Sequence, residues 1–146
     1  MNRFDILSYE ELTKDQLYYI LRLRTEVFVV EQRICYQDMD NLDQQALHVL
    51  LQHQNTILAY ARILTTDKGQ IRFGRVLTAP DFRGQGHGKE LMQRLMNWLH
   101  QQYKGKMLHI HAQAYLQTFY QNFGLETQGE PYILEDIAHL SMTKQL

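Results

Sequence analysis

The apolar positions change period along the chain, and each change marks an element. Phe4 to Leu7 reads as a short strand. Leu17, Leu21, Arg24 and Phe28 then recur at helical spacing. The helix is announced by Thr13-Lys14-Asp15-Gln16, where the Thr13 hydroxyl can accept from the Gln16 amide and the Gln16 side chain can reach back. The β-branched and aromatic run Val27-Phe28-Val29-Val30 is expected to fray its end. Tyr36 to Gln45 has little apolar pattern and carries Asp38, Asp40 and Asp43, so it reads as a partly irregular loop. The acids are either a solvated face or a lure for a cationic amine. They lack the glycine and terminal glutamate of a calcium loop.

The period next becomes two. Leu47–Gln52, Ile57–Leu64 and Ile71–Thr78 read as strands, separated by turns at His53-Gln54-Asn55-Thr56 and Asp67-Lys68-Gly69, and most simply form an antiparallel meander. Lys89 to Tyr103 is a helix with Leu91, Leu95 and Leu99 on its buried face, ended by Gly105. Met107–Ala112 is a strand, Tyr115–Phe123 a short helix closed by Gly124, and Leu125–Gln128 and Ile137–Thr143 two last strands. Pro80 and Pro131 fall in expected loops. The order β-α-βββ-α-β-α-ββ predicts a mixed α/β fold, with a parallel crossover from Ile71 to Ala112.

Composition narrows the setting. The 146 residues are 45% hydrophobic with a formal net charge of -1, which suits one domain spanning 1–146 and argues against nucleic acid as a partner. A single cysteine, Cys35, excludes an internal disulfide framework. No apolar run approaches a membrane span, and Met1-Asn2-Arg3-Phe4-Asp5 has no secretory apolar core, so a soluble, cytoplasmic protein is expected.

The sharpest chemistry lies in Arg83-Gly84-Gln85-Gly86-His87-Gly88-Lys89, between a strand and a helix. Glycines at alternate positions uncover backbone amides, the helix adds its positive end, and Arg83 and Lys89 add full charges. Together they fit a phosphate or pyrophosphate. The dinucleotide fingerprint fails because its third glycine arrives one residue early, at Gly88, and the P-loop fails because Glu90 follows Lys89. His109 and His111 share one strand face, without an evident third ligand for a metal, so no metal is expected.

The pattern R-x-x-G-x-G, carried by Arg83, Gly86 and Gly88, resembles the acetyl-CoA motif of the GNAT N-acetyltransferases. Val76-Leu77-Thr78 and Pro80 fit the approach to that motif. Gln113, Leu116, Tyr120, Gly124 and Leu125 keep the spacing of a second family segment, N-x-x-A-x-x-x-Y-x-x-x-G-F, with Gln for Asn, Leu for Ala and Leu for Phe. The N-terminal run Arg24–Gln32 with Cys35-Tyr36, Asp40, Asp43 and His48, together with Ala59-Tyr60-Ala61-Arg62, Gly74-Arg75-Val76 and Asp136–Met142, resembles the family's ElaA-like branch.

The resemblance implies a GNAT-type fold: a mostly antiparallel mixed sheet, a splayed parallel strand pair and flanking helices. It implies that Val76, Leu77 and Thr78 offer main-chain groups to the pantetheine of acetyl-CoA, that Arg83, Gly84, Gln85, Gly86, His87, Gly88 and Lys89 hold the pyrophosphate, and that Gln113 stands near the pantetheine amides. Transfer would be direct: an amine attacks the thioester, a strand amide at Leu77 or Thr78 meets the oxyanion, and Tyr120 protonates the leaving thiolate as general acid. Glu31, His111 and His139, or a water that one of them holds, are the candidates for the base. The acceptor implied by the resemblance is a primary amine of a small molecule or protein. The family setting also allows a homodimer. Cys35 is expected to pack beside Tyr36 without a catalytic part. An acyl-homoserine-lactone synthase-like acyltransferase shares Arg24, Val27, Phe28, Asp40 and Asp43, and a CoA-binding sensor without catalysis is the reading from another class.

Overall fold

A computed structural model describes all 146 residues. The chain forms strand β1 (Arg3–Ser8), helix α1 (Lys14–Arg24), strands β2 (Leu47–His53), β3 (Thr56–Thr65) and β4 (Ile71–Thr78), helix α2 (His87–Gln102), strand β5 (Met107–Gln113), the short helix α3 (Gln117–Gln121), and strands β6 (Glu126–Leu134) and β7 (Ile137–Gln145). One seven-stranded sheet runs in the order β1-β2-β3-β4-β5-β7-β6. All neighbours are antiparallel except β4 and β5. The meander and the α2 crossover are thus as the periodicity predicts.

Local chemistry accounts for the ends of these elements. Thr13 and Gln16 form the reciprocal cap of α1, with Gln16 N donating to Thr13 Oγ1 at 3.0 Å and Thr13 N donating to Gln16 Oε1 at 2.9 Å. The β2–β3 turn sets Gln54 and Asn55 at φ 49° and 67°, and the β6–β7 turn sets Glu135 and Asp136 at φ 48° and 60°. Two consecutive left-handed residues match the twist of a tight hairpin. Strand β6 is longer than the sequence suggests and takes in Pro131, a residue the pattern puts in a loop. An edge strand tolerates proline, because the missing N–H can face away from the sheet.

The sheet carries a core on each face. Leu91, Met92, Leu95, Met96 and Leu99 of α2 are buried against Val49, Ala61, Ile63, Phe73, Leu108 and Ile110. Each such side chain contributes about 1.5–3 kcal/mol by leaving water. On the other face, Ile20, Leu23 and Val27 meet Leu50, Tyr60 and Leu77. The segment expected to fray instead continues α1 as a wide π-helical turn, Thr25–Glu31, with Ile34 N reaching Val29 O at 3.1 Å. Such turns are rare and recur at functional sites.

The acidic loop is not a solvated face. Arg24, on the apolar side of α1, is fully buried and donates from Nε to Asp38 Oδ2 at 2.8 Å and from Nη1 to Asp43 Oδ1 at 2.6 Å. Arg62 holds Asp40 at 2.8 Å and Asp43 at 3.1 Å, and Arg75 holds Asp38 at 2.8 Å. Three guanidinium groups therefore balance three carboxylates. His48 extends the cluster. Its Nε2 lies 2.9 Å from the Asp43 carbonyl oxygen, which only accepts, so Nε2 carries the proton and Nδ1 accepts from Tyr60 at 2.7 Å. The loop lacks an apolar pattern because charge pairing anchors it.

Burial works against ionised Asp40, yet Arg62 overrides it and holds the carboxyl down at about 2. Burial likewise opposes charge on Asp43, and Arg24 and Arg62 outweigh it. Burial pushes His48 below its ordinary range, with the Asp43 carbonyl offsetting part of the effect.

Asp43→Ala leaves two buried guanidinium groups short of a partner and should cost about 3–5 kcal/mol in urea unfolding. A loss under 1 kcal/mol would contradict the role given to the cluster. The depressed His48 is neutral when folded, so the unfolded chain binds more protons once the pH falls below the ordinary 6.5. The depressed carboxyls lose their contribution as the pH falls below the ordinary 3.8. The thermal midpoint should decline in these two stages on acidification, and a midpoint unchanged between pH 7.5 and 3 would contradict this.

Candidate active site

Strands β4 and β5 pair at one position, Ile71 with Leu108, and then part. The cause lies in β4. Arg75 adopts φ 51°, and the register against β3 slips between Tyr60 and Arg62, so β4 carries a bulge. Beyond the bulge the strand still follows β3, with Ala79 N donating to Leu58 O at 2.8 Å. By alternation, the amides and carbonyls of Val76 and Thr78 turn toward β5, which is no longer there to meet them. Leu77 packs in the core beneath α1 and pairs with Tyr60 on β3. Of the residues expected to offer main chain to a ligand, Val76 and Thr78 face the gap.

The parted strands open a cleft of about 620 Å³ that runs through the sheet. At one end Thr78, Arg83 and Gly88 line it. Gly88 sits tight against β4, since a Cβ there would lie 3.0 Å from Thr78 Oγ1. Gly84 and Gly86 hold φ 77° and 81°, the left-handed region that glycine adopts without strain. Glu90 N donates to Gly86 O at 3.0 Å and is the first amide of α2 to find a main-chain acceptor. The amides of Gly84, Gln85, Gly86, His87, Gly88 and Lys89 make no main-chain hydrogen bond. The sequence therefore leaves a row of donors at a helix start, as the spacing suggests.

Tyr120 reaches the cleft from α3, on the face occupied by α2, and rests against Phe73 with ring centroids 6.0 Å apart. It is 5% exposed, and burial, with Tyr115 adding to it, pushes its phenol upward, so it stays protonated throughout the neutral range. Its hydroxyl has no hydrogen-bond partner in the protein. The sealed, unpartnered side-chain atoms are the Nε of Arg62 and of Arg72 alone, so the Tyr120 hydroxyl is open to the cleft that the residue lines.

Leu108, Ile110 and Ala112 of β5 point to the α2 side, which places His109, His111 and Gln113 on the opposite face. His139 shares that face, in register with Gln113. Gln113 and Gln32 exchange amide hydrogen bonds at 3.3 and 3.4 Å, tying the π-helical turn to the end of β5. Glu31 does not stand free: its carboxylate holds Arg83 at 2.8 and 2.9 Å. His111 is also engaged. Arg72 Nη1, which only donates, faces Nε2 at 3.3 Å, so Nδ1 carries the proton and donates to the Tyr132 hydroxyl. Desolvation, then His109, Arg72 and His139, push His111 below its ordinary range. Sequence reasoning misses Arg72, Tyr132 and Gln32. Arg72 alternates with buried Phe73, and that period is the one signal that could have exposed it. Cys35, expected to pack beside Tyr36, is exposed. No helix is long and apolar enough to cross a membrane.

Known proteins agree with this geometry. The acetyltransferase (GNAT) domain family matches residues 8–146. The ElaA protein of Escherichia coli K12 is 37% identical over 144 residues, covering 96% of this chain and 94% of its own. The crystal structure of Escherichia coli ElaA superposes with a TM-score of 0.91 at 36% identity, covering 99% of this chain and all of the other. An acyl-CoA N-acyltransferase structure from Pseudomonas aeruginosa gives a TM-score of 0.91 at 35% identity, covering 99% of both chains. The chain belongs to the GNAT family of acyltransferases, in its ElaA-like branch. The acyl-homoserine-lactone synthase LasI shares the fold alone, at a TM-score of 0.80 and 16% identity.

Proposed function

We propose that the chain is an N-acetyltransferase that moves the acetyl group of acetyl-CoA to the primary amine of a small molecule or protein, with Tyr120 as general acid. The observation that carries this reading is the parting of β4 from β5, with unpaired amides along one wall and the open Tyr120 hydroxyl in the same cleft. The residues fit the coenzyme. A pyrophosphate suits the amides from Gly84 to Lys89 with the charges of Arg83 and Lys89, and a pantetheine arm suits the edge of β4 at Val76 and Thr78, as an added strand would. Gln113, at the far end of β5, can meet its amides.

The chemistry asks little of the protein beyond placement and protons. As the amine nitrogen bonds to the carbonyl carbon, negative charge gathers on the oxygen, and a β4 amide at Val76 or Thr78 can stabilise it. As the carbon–sulfur bond breaks, Tyr120 gives its proton to the sulfur. The amine loses a proton to a base on the other face of the sheet, where Glu31, His111 and His139 stand.

Two outcomes test the reading. Tyr120→Phe should keep CoA affinity in calorimetry within about twofold while thiol release from acetyl-CoA falls about 10²–10⁴-fold across responsive amines. Undiminished turnover would remove Tyr120 from the chemistry, and a wild-type protein silent toward polyamines, amino sugars, amino acids and peptides would favour the sensor. Arg83 must exchange Glu31 for the diphosphate. Glu31→Gln removes that competitor, and since an exposed pair is worth up to about 1 kcal/mol, CoA should bind up to about fivefold tighter. Weaker binding would contradict this placement of the diphosphate.

A further inference from the structure

We propose that His139 is the general base that takes the amine proton, an inference that rests on the transferase reading above. Its Nδ1 lies 2.7 Å from the carbonyl oxygen of Ile137, an atom that only accepts. Nδ1 therefore carries the hydrogen of the neutral ring, and Nε2 carries the lone pair. No protein atom bonds Nε2. Nor is Nε2 sealed, because the Nε atoms of Arg62 and Arg72 are the only buried, unpartnered side-chain nitrogens or oxygens. The residue is 8% exposed and lines the cleft, so the lone pair opens there. Stacking on Tyr132, with centroids 6.1 Å apart and planes 23° apart, holds the ring.

The other groups on this face are less able to take a proton. The His111 lone pair already accepts from Arg72, and Glu31, which Arg83 leaves when the diphosphate binds, has a side chain 44% exposed at the mouth beside the glycine loop. His109 follows Leu108, where β4 and β5 are still paired, at the closed end of the cleft. His139 instead stands in register with Gln113, at the open end. Titratable groups facing it are Tyr132, its partner on β6, and His111 on β5, with Glu135 and Asp136 in the adjoining β6–β7 turn.

In the proposed step His139 Nε2 takes a proton from the attacking nitrogen, the nitrogen–carbon bond forms, the carbon–sulfur bond breaks, and the sulfur takes the Tyr120 proton. The imidazolium then returns one proton through solvent to the phenolate. One amine and one thioester give one amide and one thiol, and both side chains regain their starting states.

The test compares pH profiles of kcat/KM for the wild type, His139→Asn and His111→Asn with a single acceptor amine, so that the acceptor's own ionisation is common to all three. In His139→Asn the new side-chain amide can still donate to the Ile137 carbonyl oxygen, but it offers no basic nitrogen. His139→Asn should keep CoA affinity, lose about 10²–10⁴-fold in turnover and lose the enzyme's own acid limb, while His111→Asn keeps that limb. Nitrogen-15 spectra of the wild type should show His139 as the Nδ1–H tautomer. A variant that keeps both rate and limb, or a His139 in the Nε2–H tautomer, overturns the base and leaves the transferase reading intact. A wild type that binds CoA yet acetylates no amine overturns the transferase reading, and the base with it.

Discussion

The structure turns on the separation of two parallel strands after one pair of residues. Everything that can act on a ligand here follows from it: free main chain on β4, a cleft that passes through the sheet, and access from opposite faces for Tyr120 and the histidines. The separation has a specific support. Arg75, the left-handed residue of the β4 bulge, donates from Nε to Asp38 Oδ1 at 2.8 Å and from Nη2 to the Asp38 carbonyl at 3.0 Å, and its guanidinium lies 5.7 Å from the centre of the Tyr36 ring. Asp38 is in turn held by the buried Arg24. The ion cluster beneath the loop and the bulge beside the cleft are thus one construction, and it links α1, β3 and β4.

The site divides its chemistry by face. The α2 side supplies amides, cations and a protonated phenol, which suit a phosphate tail and a leaving sulfur. The α1 side supplies histidines, a glutamine pair and the π-helical turn, which suit an incoming amine and its proton. The Glu31–Arg83 pair joins the two sides at the mouth. It ties the glycine loop before α2 to the α1 side, so a charge bound at one bears on the charge of the other.

Much of this is legible in the sequence, for identifiable reasons. Strand and helix periods show directly because each face of the sheet is packed against helices, and the glycine row is readable because Gly84 and Gly86 need a backbone state that other residues resist. The acidic loop is opaque to sequence because pairing between Asp38, Asp40, Asp43 and Arg24, Arg62, Arg75 spans distant segments, and no local pattern reveals it. At Thr25–Glu31 propensity points to fraying, since it disfavours a run of valines in a helix, whereas tertiary packing of Val27 and the ties of Arg24 hold the wide turn. Among the histidines, sequence spacing groups His109 with His111, but it cannot show that one lone pair is covered by Arg72 and another is open at His139.

The most direct measurement is a titration of nitrogen-15-labelled protein with coenzyme A, followed amide by amide. The largest shifts should fall at Val76, Thr78 and the run from Gly84 to Lys89, with β1 and β2 unmoved. Saturable binding that leaves those amides unchanged, or no binding at millimolar coenzyme, would contradict this.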